Sequence, residues 1–182
     1  MLRRLVPMHV TLLLDVWKGA PSPDLTGPFE KAETAFAAGD FAAATTALDL
    51  LSVRLAEPRW PTTPEPFRLL RVPIKAPVPP HWDPDHALSA GDKDSKKQRT
   101  TAEDQLALAR GAVAWAAAHG VDASDLGSVV EGASAHLAEP ADLRSFYEGI
   151  DGLWASLRGR LPRPKNAAVR AAPPAAAEAE EA

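Results

Sequence analysis

Cysteine is absent from all 182 residues. That excludes disulfides and thiolate chemistry, while leaving the compartment open. Aromatic residues are also scarce, at 6% with a single tyrosine. The 46% of hydrophobic residues therefore rest largely on alanine and aliphatic side chains. Alanine buries little area, so a thin core is expected. No apolar run approaches the roughly 20 residues needed to span a bilayer. The N-terminal stretch "MLRRLVPMHVTLLLDVW" comes nearest, with Arg3 and Arg4 ahead of it like the opening of a secretory signal. Pro7, His9 and Asp15 interrupt it, which is foreign to a signal peptide's apolar centre. A cytoplasmic protein without a membrane segment is the expectation. Charge of one sign does not dominate either. The net charge of −4 argues against a large nucleic-acid surface but allows a local basic patch. Nucleophile elbow, phosphate loop and dinucleotide fingerprint are all missing, so neither an enzyme class nor a cofactor is indicated.

Composition divides the chain into four parts: 1–57, a helical N-terminal unit; 58–84, a proline-rich stretch; 85–160, helical again after a charged opening; and 161–182, a tail of Pro, Ala and Glu. In the first part Leu5, Val10, Leu13, Leu14 and Trp17 suit one stripe of a helix. The run "HVTLLLDVW" is also rich in β-formers, and periodicity alone does not separate helix from strand over so short a run. Its helical neighbours favour helix. A break follows at Gly19–Pro23. The next helix is expected to start near Pro28 and to carry Phe29, Ala32, Ala35 and Phe36. Gly39 closes it, and Asp40 caps a further helix with Phe41, Ala44, Leu48, Leu51 and Leu55 on its inner side until Pro58.

Over residues 28–57 this pattern resembles one unit of the tetratricopeptide repeat family. The residues that carry the resemblance are Ala32 and Ala35, the turn Gly39-Asp40-Phe41, Ala44 and Leu48, and the late Pro58. Alanine stands where the family's first helix usually has glycine. No second unit follows at the 34-residue period that such arrays need. The resemblance implies a helical scaffold that binds peptides or proteins, and it assigns no binding residue.

Residues 58–84 hold nine prolines, which rule out a helix. An extended, partly polyproline II strap is expected. Trp60, Phe67, Leu69, Leu70, Val72, Ile74, Val78 and Trp82 make it too apolar for a free linker, so it should pack along the helices. "SAGDKDSKKQRT" (89–100) reads as a solvated loop, with Thr100 or Thr101 capping a helix that carries Leu106, Ala109, Val113 and Ala117. Asp122 or Ser124 should cap the next, with Leu126, Val129, Val130, Ala133 and Leu137. The last carries Leu143, Phe146, Tyr147, Ile150, Leu153, Trp154 and Leu157, the cleanest amphipathic pattern in the chain. The expected fold is therefore all-α, a small bundle of five to six helices. A proline-rich extended strap joins an N-terminal helical hairpin unit to a C-terminal three-helix unit.

Three constellations carry the functional alternatives. Trp60, Trp82 and Trp115 are candidates for partial exposure and so for a partner surface, since tryptophan is enriched at binding hot spots. His81, Asp83, Asp85 and His86 in "HWDPDH" form the one dense set of potential metal ligands, although a turn with Asp83 capping explains the same residues. Arg158, Arg160, Arg163, Lys165 and Arg170 form a basic run of the kind that meets phosphates, but it lacks interleaved aromatics and is reversed by Glu178, Glu180 and Glu181; a solvated, disordered tail accounts for it as well. His9, His119 and His136 stand alone in the sequence, and His119 suits a helix C-terminus. The function expected is a non-enzymatic scaffold for protein–protein interaction, with a protein or peptide partner. Its groove should lie between the 28–57 hairpin and the strap, or on the outside of the C-terminal helices. The alternatives are a metal protein or enzyme centred on His81–His86, and a nucleic-acid accessory protein using 158–170. The oligomeric state is left open.

Overall fold

Ten successive residues, Leu5 to Leu14, are all buried, and this decides the architecture. They belong to α1 (Leu2–Trp17). A helix that is apolar on every side has no face for water and must be surrounded. In the computed structural model, which describes residues 1–17, 23–55, 93–138 and 140–164, α1 is the central rod. The run is helix and not strand. The single stripe expected for it is exceeded, because Val6, Met8 and Leu12 are buried together with Leu5, Val10, Leu13 and Leu14. The side chain of Trp17 lies outside the described residues. Pro7 stands inside α1; lacking an N–H, it leaves the Arg3 carbonyl without its intrahelical donor. The Thr11 hydroxyl donates to the Pro7 carbonyl at 2.9 Å, within the buried core.

Five further helices complete the described fold: α2 (Pro23–Ala37), α3 (Phe41–Leu55), α4 (Lys93–Ala118), α5 (Leu126–Ala135) and α6 (Leu143–Arg160). No strand occurs among the described residues. The molecule is an all-α helical bundle. Helices α2, α4 and α6 pack directly on α1, α3 pairs with α2, and α5 lies against α4 and α6. The buried side chains of all six form one contiguous cluster. The N-terminal and C-terminal helical parts thus share a core. Aliphatic and alanine side chains dominate it, with Phe29, Phe146, Tyr147 and Trp154 as its buried aromatics.

The α2–α3 hairpin forms at the expected turn. Gly39 has φ +77°, the left-handed conformation that glycine adopts without strain. Its N–H donates to the Phe36 carbonyl at 3.1 Å and the Asp40 N–H to Ala35 at 2.9 Å, a paired closure that satisfies the last carbonyls of α2. Asp40 then caps α3, accepting from the Ala43 N–H at 2.9 Å. Gly120, also at φ +77°, closes α4 in the same way. Asp142 caps α6, accepting from the Ser145 N–H at 3.1 Å. All seven stripe residues of α6 are buried.

Several expectations are corrected. Helix α2 begins at Pro23, and Pro28 lies inside it; Leu25 and Phe29, one turn apart and both buried, reward the extra turn. Helix α4 begins at Lys93, so the supposed loop from 93 to 100 is helical. Lys, Gln and Arg, all good helix formers, make up most of it, with no glycine or proline before Gly111. Thr100 and Thr101 do not cap; their hydroxyls donate back to Lys96 and Lys97. On α4, Ala117 is exposed and Leu108, Ala112 and Ala116 are buried instead, because this helix meets α1, α5 and α6. Neither Asp122 nor Ser124 caps α5. The Asp122 carboxylate takes the Ser124 hydroxyl at 3.0 Å, and α5 starts two residues after Ser124. Val129, expected inward, is 36% exposed. Leu161 and Pro164, expected at the start of a solvated tail, are buried. The proline-rich strap and the chain from Lys165 onward lie outside the described residues.

Backbone conformation gives a direct test. Gly152 sits in mid-α6, where an added Cβ meets nothing within 4 Å, so Gly152→Ala should stabilise the fold by about 0.5–1 kcal/mol. Gly39→Ala, in equally open space but at positive φ, should destabilise it by about 1 kcal/mol. Urea denaturation of the two variants checks the opposite signs.

Candidate interaction surface

Helix α3 turns Ala44, Leu48, Leu51 and Ser52 inward. Phe41, expected among them, is 57% exposed. It is the first residue of the helix, at the tip of the hairpin, and its ring lies tilted against that of Phe36 at a centroid distance of 5.9 Å. On the opposite side Leu50 is 48% and Val53 56% exposed. With the exposed Ala43 and Thr46 they follow the i, i+3, i+7, i+10 spacing of one helical stripe. The Thr46 hydroxyl donates to the Ala42 carbonyl at 3.1 Å. Its polar end is satisfied locally, which leaves its methyl group to the outer face. The stripe is thus apolar over about 15 Å of helix length. Large exposed apolar residues in one stripe are an interaction signal, whereas scattered ones are ordinary.

Sequence reasoning passed over this stripe. The signal was present in the doublet Leu50-Leu51: two neighbouring leucines point about 100° apart on a helix, so one of them leaves the core side. Between Phe41 and Leu55 the sequence offers only Asp49 and Arg54 as charges, too few for a fully polar outer face. Asp49 is itself engaged, accepting from Arg4 of α1 at 2.6 Å.

Trp115 is half-buried and packs against the core. Its indole stacks on the exposed ring of His119 at 4.2 Å, and His119 Nδ1 lies 2.9 Å from the Trp115 carbonyl. The pair closes the C-terminal end of α4, as expected for a histidine at a helix end. Trp60 and Trp82 lie outside the described residues. His81, Asp83, Asp85 and His86 also lie outside them. Among the described residues no group of three or more His, Asp or Glu side chains is arranged to hold a metal ion.

The basic run is divided by its partners. Arg158 donates to both oxygens of Glu33 on α2, at 3.1 and 2.9 Å, with its guanidinium 4.9 Å above the Phe36 ring. Arg160 donates to both oxygens of Asp125, the second at 2.8 Å, and to the Asp122 carbonyl at 3.0 Å. The hydrogen bond from Arg160 holds the Asp125 carboxyl down at about 2, well below the usual carboxylate range. Both guanidinium groups join α6 to other parts of the bundle. Arg163 is exposed, and Lys165 and Arg170 lie outside the described residues.

One further polar residue is buried where sequence gave no reason to place it. His9 is 5% exposed on the central helix. Its Nε2 lies 2.8 Å from the Pro162 carbonyl, its ring packs on Phe29 at 4.7 Å, and its Nδ1 meets no partner among the described residues. Burial lowers its pKa to about 4.

Comparison with protein families, with curated proteins and with solved structures finds no match to this chain.

If the α3 stripe is surface and not core, Leu50→Glu with Val53→Glu should change unfolding free energy by less than about 0.5 kcal/mol. Leu48→Ala, from the inner side of the same helix, should cost about 2–5 kcal/mol. Equilibrium denaturation of the two variants checks the contrast.

Proposed function

We propose that the protein is a non-enzymatic scaffold whose partner docks on the outer stripe of α3. The observation that carries this is the exposure of Leu50 and Val53 on a helix whose other side is firmly packed. The spacing of the stripe suits an amphipathic helix laid along it, apolar face inward. Ala43 and Thr46 are small, which favours close approach of a second helix at the hairpin end of the stripe. The tetratricopeptide-like hairpin supports the same view: such hairpins bury one side on a neighbour and offer the other to the next element. Trp115 contributes a second, smaller apolar surface at the end of α4. The pairing of Arg158 and Arg160 with carboxylates weighs against a nucleic-acid role for that part of the run.

Affinity capture from extract of the native cell, with quantitative mass spectrometry, tests the proposal. Partners held by the wild-type protein should fall at least tenfold on Leu50→Glu/Val53→Glu, corresponding to about 1.4 kcal/mol or more of lost binding. They should persist when the chain is truncated after Pro164. Retention by the double variant, or loss on truncation alone, would overturn it.

A further inference from the structure

The residues just past α6 do not leave the bundle. Leu161 is 8% exposed and Pro164 is buried. Between them Pro162 directs its carbonyl into the core, toward His9 of α1. A carbonyl only accepts, so the imidazole must carry its proton on Nε2 and donate it. Nδ1 then holds a lone pair in a buried site with no donor among the described residues. In the neutral ring this is a modest loss. A second proton would create a buried Nδ1–H without an acceptor and a cation without water.

We propose that His9 is a proton-operated latch that seats residues 161–164 against the helical core. Neutral His9 holds the segment through Nε2–H and the Pro162 carbonyl. Protonated His9 is a cation that needs water, and the least disruptive way to admit it to the ring is to lift the segment from Nε2. Lifting gives up chiefly the burial of Leu161 and Pro164; opening α1 would give up the burial of ten successive residues and with it the whole core. The charged groups facing the ring do not replace water. Glu33 on α2 favours the imidazolium and Arg158 on α6 opposes it, and the two are paired with each other at 2.9 Å. Arg163, within the segment, is exposed.

The direction of the pH effect follows from linkage. Seated, His9 titrates at about 4, against an ordinary value of 6.5 once water reaches it. Above pH 6.5 both states are neutral and the latch is closed at no proton cost. As pH falls below 6.5 the lifted state gains the proton first, and closure weakens until about pH 4. Between pH 8 and pH 5 the opening equilibrium should rise about 30-fold.

Amide hydrogen exchange by NMR, corrected for intrinsic rates, reads this directly. The Leu161 amide, bonded to the Leu157 carbonyl at 3.1 Å, should lose about 30-fold in protection from pH 8 to pH 5, while the Leu13 amide of α1 keeps its own. His9→Gln, which retains a donor for Pro162 and does not titrate, should make Leu161 protection independent of pH. The latch is overturned if Leu161 and Leu13 lose protection together, if Leu161 is unprotected at pH 8, or if His9→Gln shows the wild-type dependence. Should His9→Gln not fold, the contrast between Leu161 and Leu13 in the wild-type protein decides alone.

Discussion

The burial of α1 on every side is the constraint from which the rest of the structure follows. An amphipathic helix can lie on a surface, but this one requires neighbours all around its axis. Helices α2, α4 and α6 supply them directly. The consequence reaches the polar residues too. His9 and Thr11 sit on the same helix and cannot reach water, so each takes a carbonyl as partner, that of Pro162 and that of Pro7. A buried side-chain polar group that finds such a partner avoids most of its desolvation cost.

Around that rod the helices are held in register by arginines that span from one helix to the next. Arg3 of α1 donates to both carboxylate oxygens of Asp151 on α6, at 2.7 and 2.8 Å, and lies 4.1 Å above the Tyr147 ring. Arg4 reaches Asp49 on α3, Arg110 of α4 reaches Glu131 on α5, and Arg158 reaches Glu33 on α2. These pairs are partly exposed and screened by solvent, so each adds little stability. The forked bonds of Arg3, Arg110 and Arg158 are directional, however, and a core rich in alanine has few large side chains to fix the sliding of one helix along another.

How much of this is written locally in the sequence depends on the range of the interaction. The α6 stripe from Leu143 to Leu157 was legible in full, because seven residues in strict helical spacing specify a face without reference to anything else. The Gly39–Asp40 turn was legible for the same reason: its conformation and its cap are made by neighbours in the chain. The start of α4 was not, since Lys93 to Thr100 looks solvated whether it coils or loops. The start of α2 was missed because Leu25 is rewarded only by contact with the core. Phe41 was placed inward on periodicity, which says nothing of where a helix ends relative to its neighbours. The partnership of Arg158 with Glu33 spans 125 positions and that of His9 with Pro162 spans 153. No window along the chain holds both members of either pair, so a basic run looked free and an isolated histidine looked idle. The outer stripe of α3 was visible only after the inner one had been assigned.

The central helix is also the first helix of the described fold, while α6, which covers much of it, is the last. During synthesis at about 5–20 residues per second, α1 therefore waits roughly 6–25 seconds before α6 begins to emerge. Throughout that interval its greasy circumference is covered only as far as α2, and then α4, can reach. Nascent chains of this protein thus present a sticky rod to the ribosome surface and to any chaperone nearby until α6 is released.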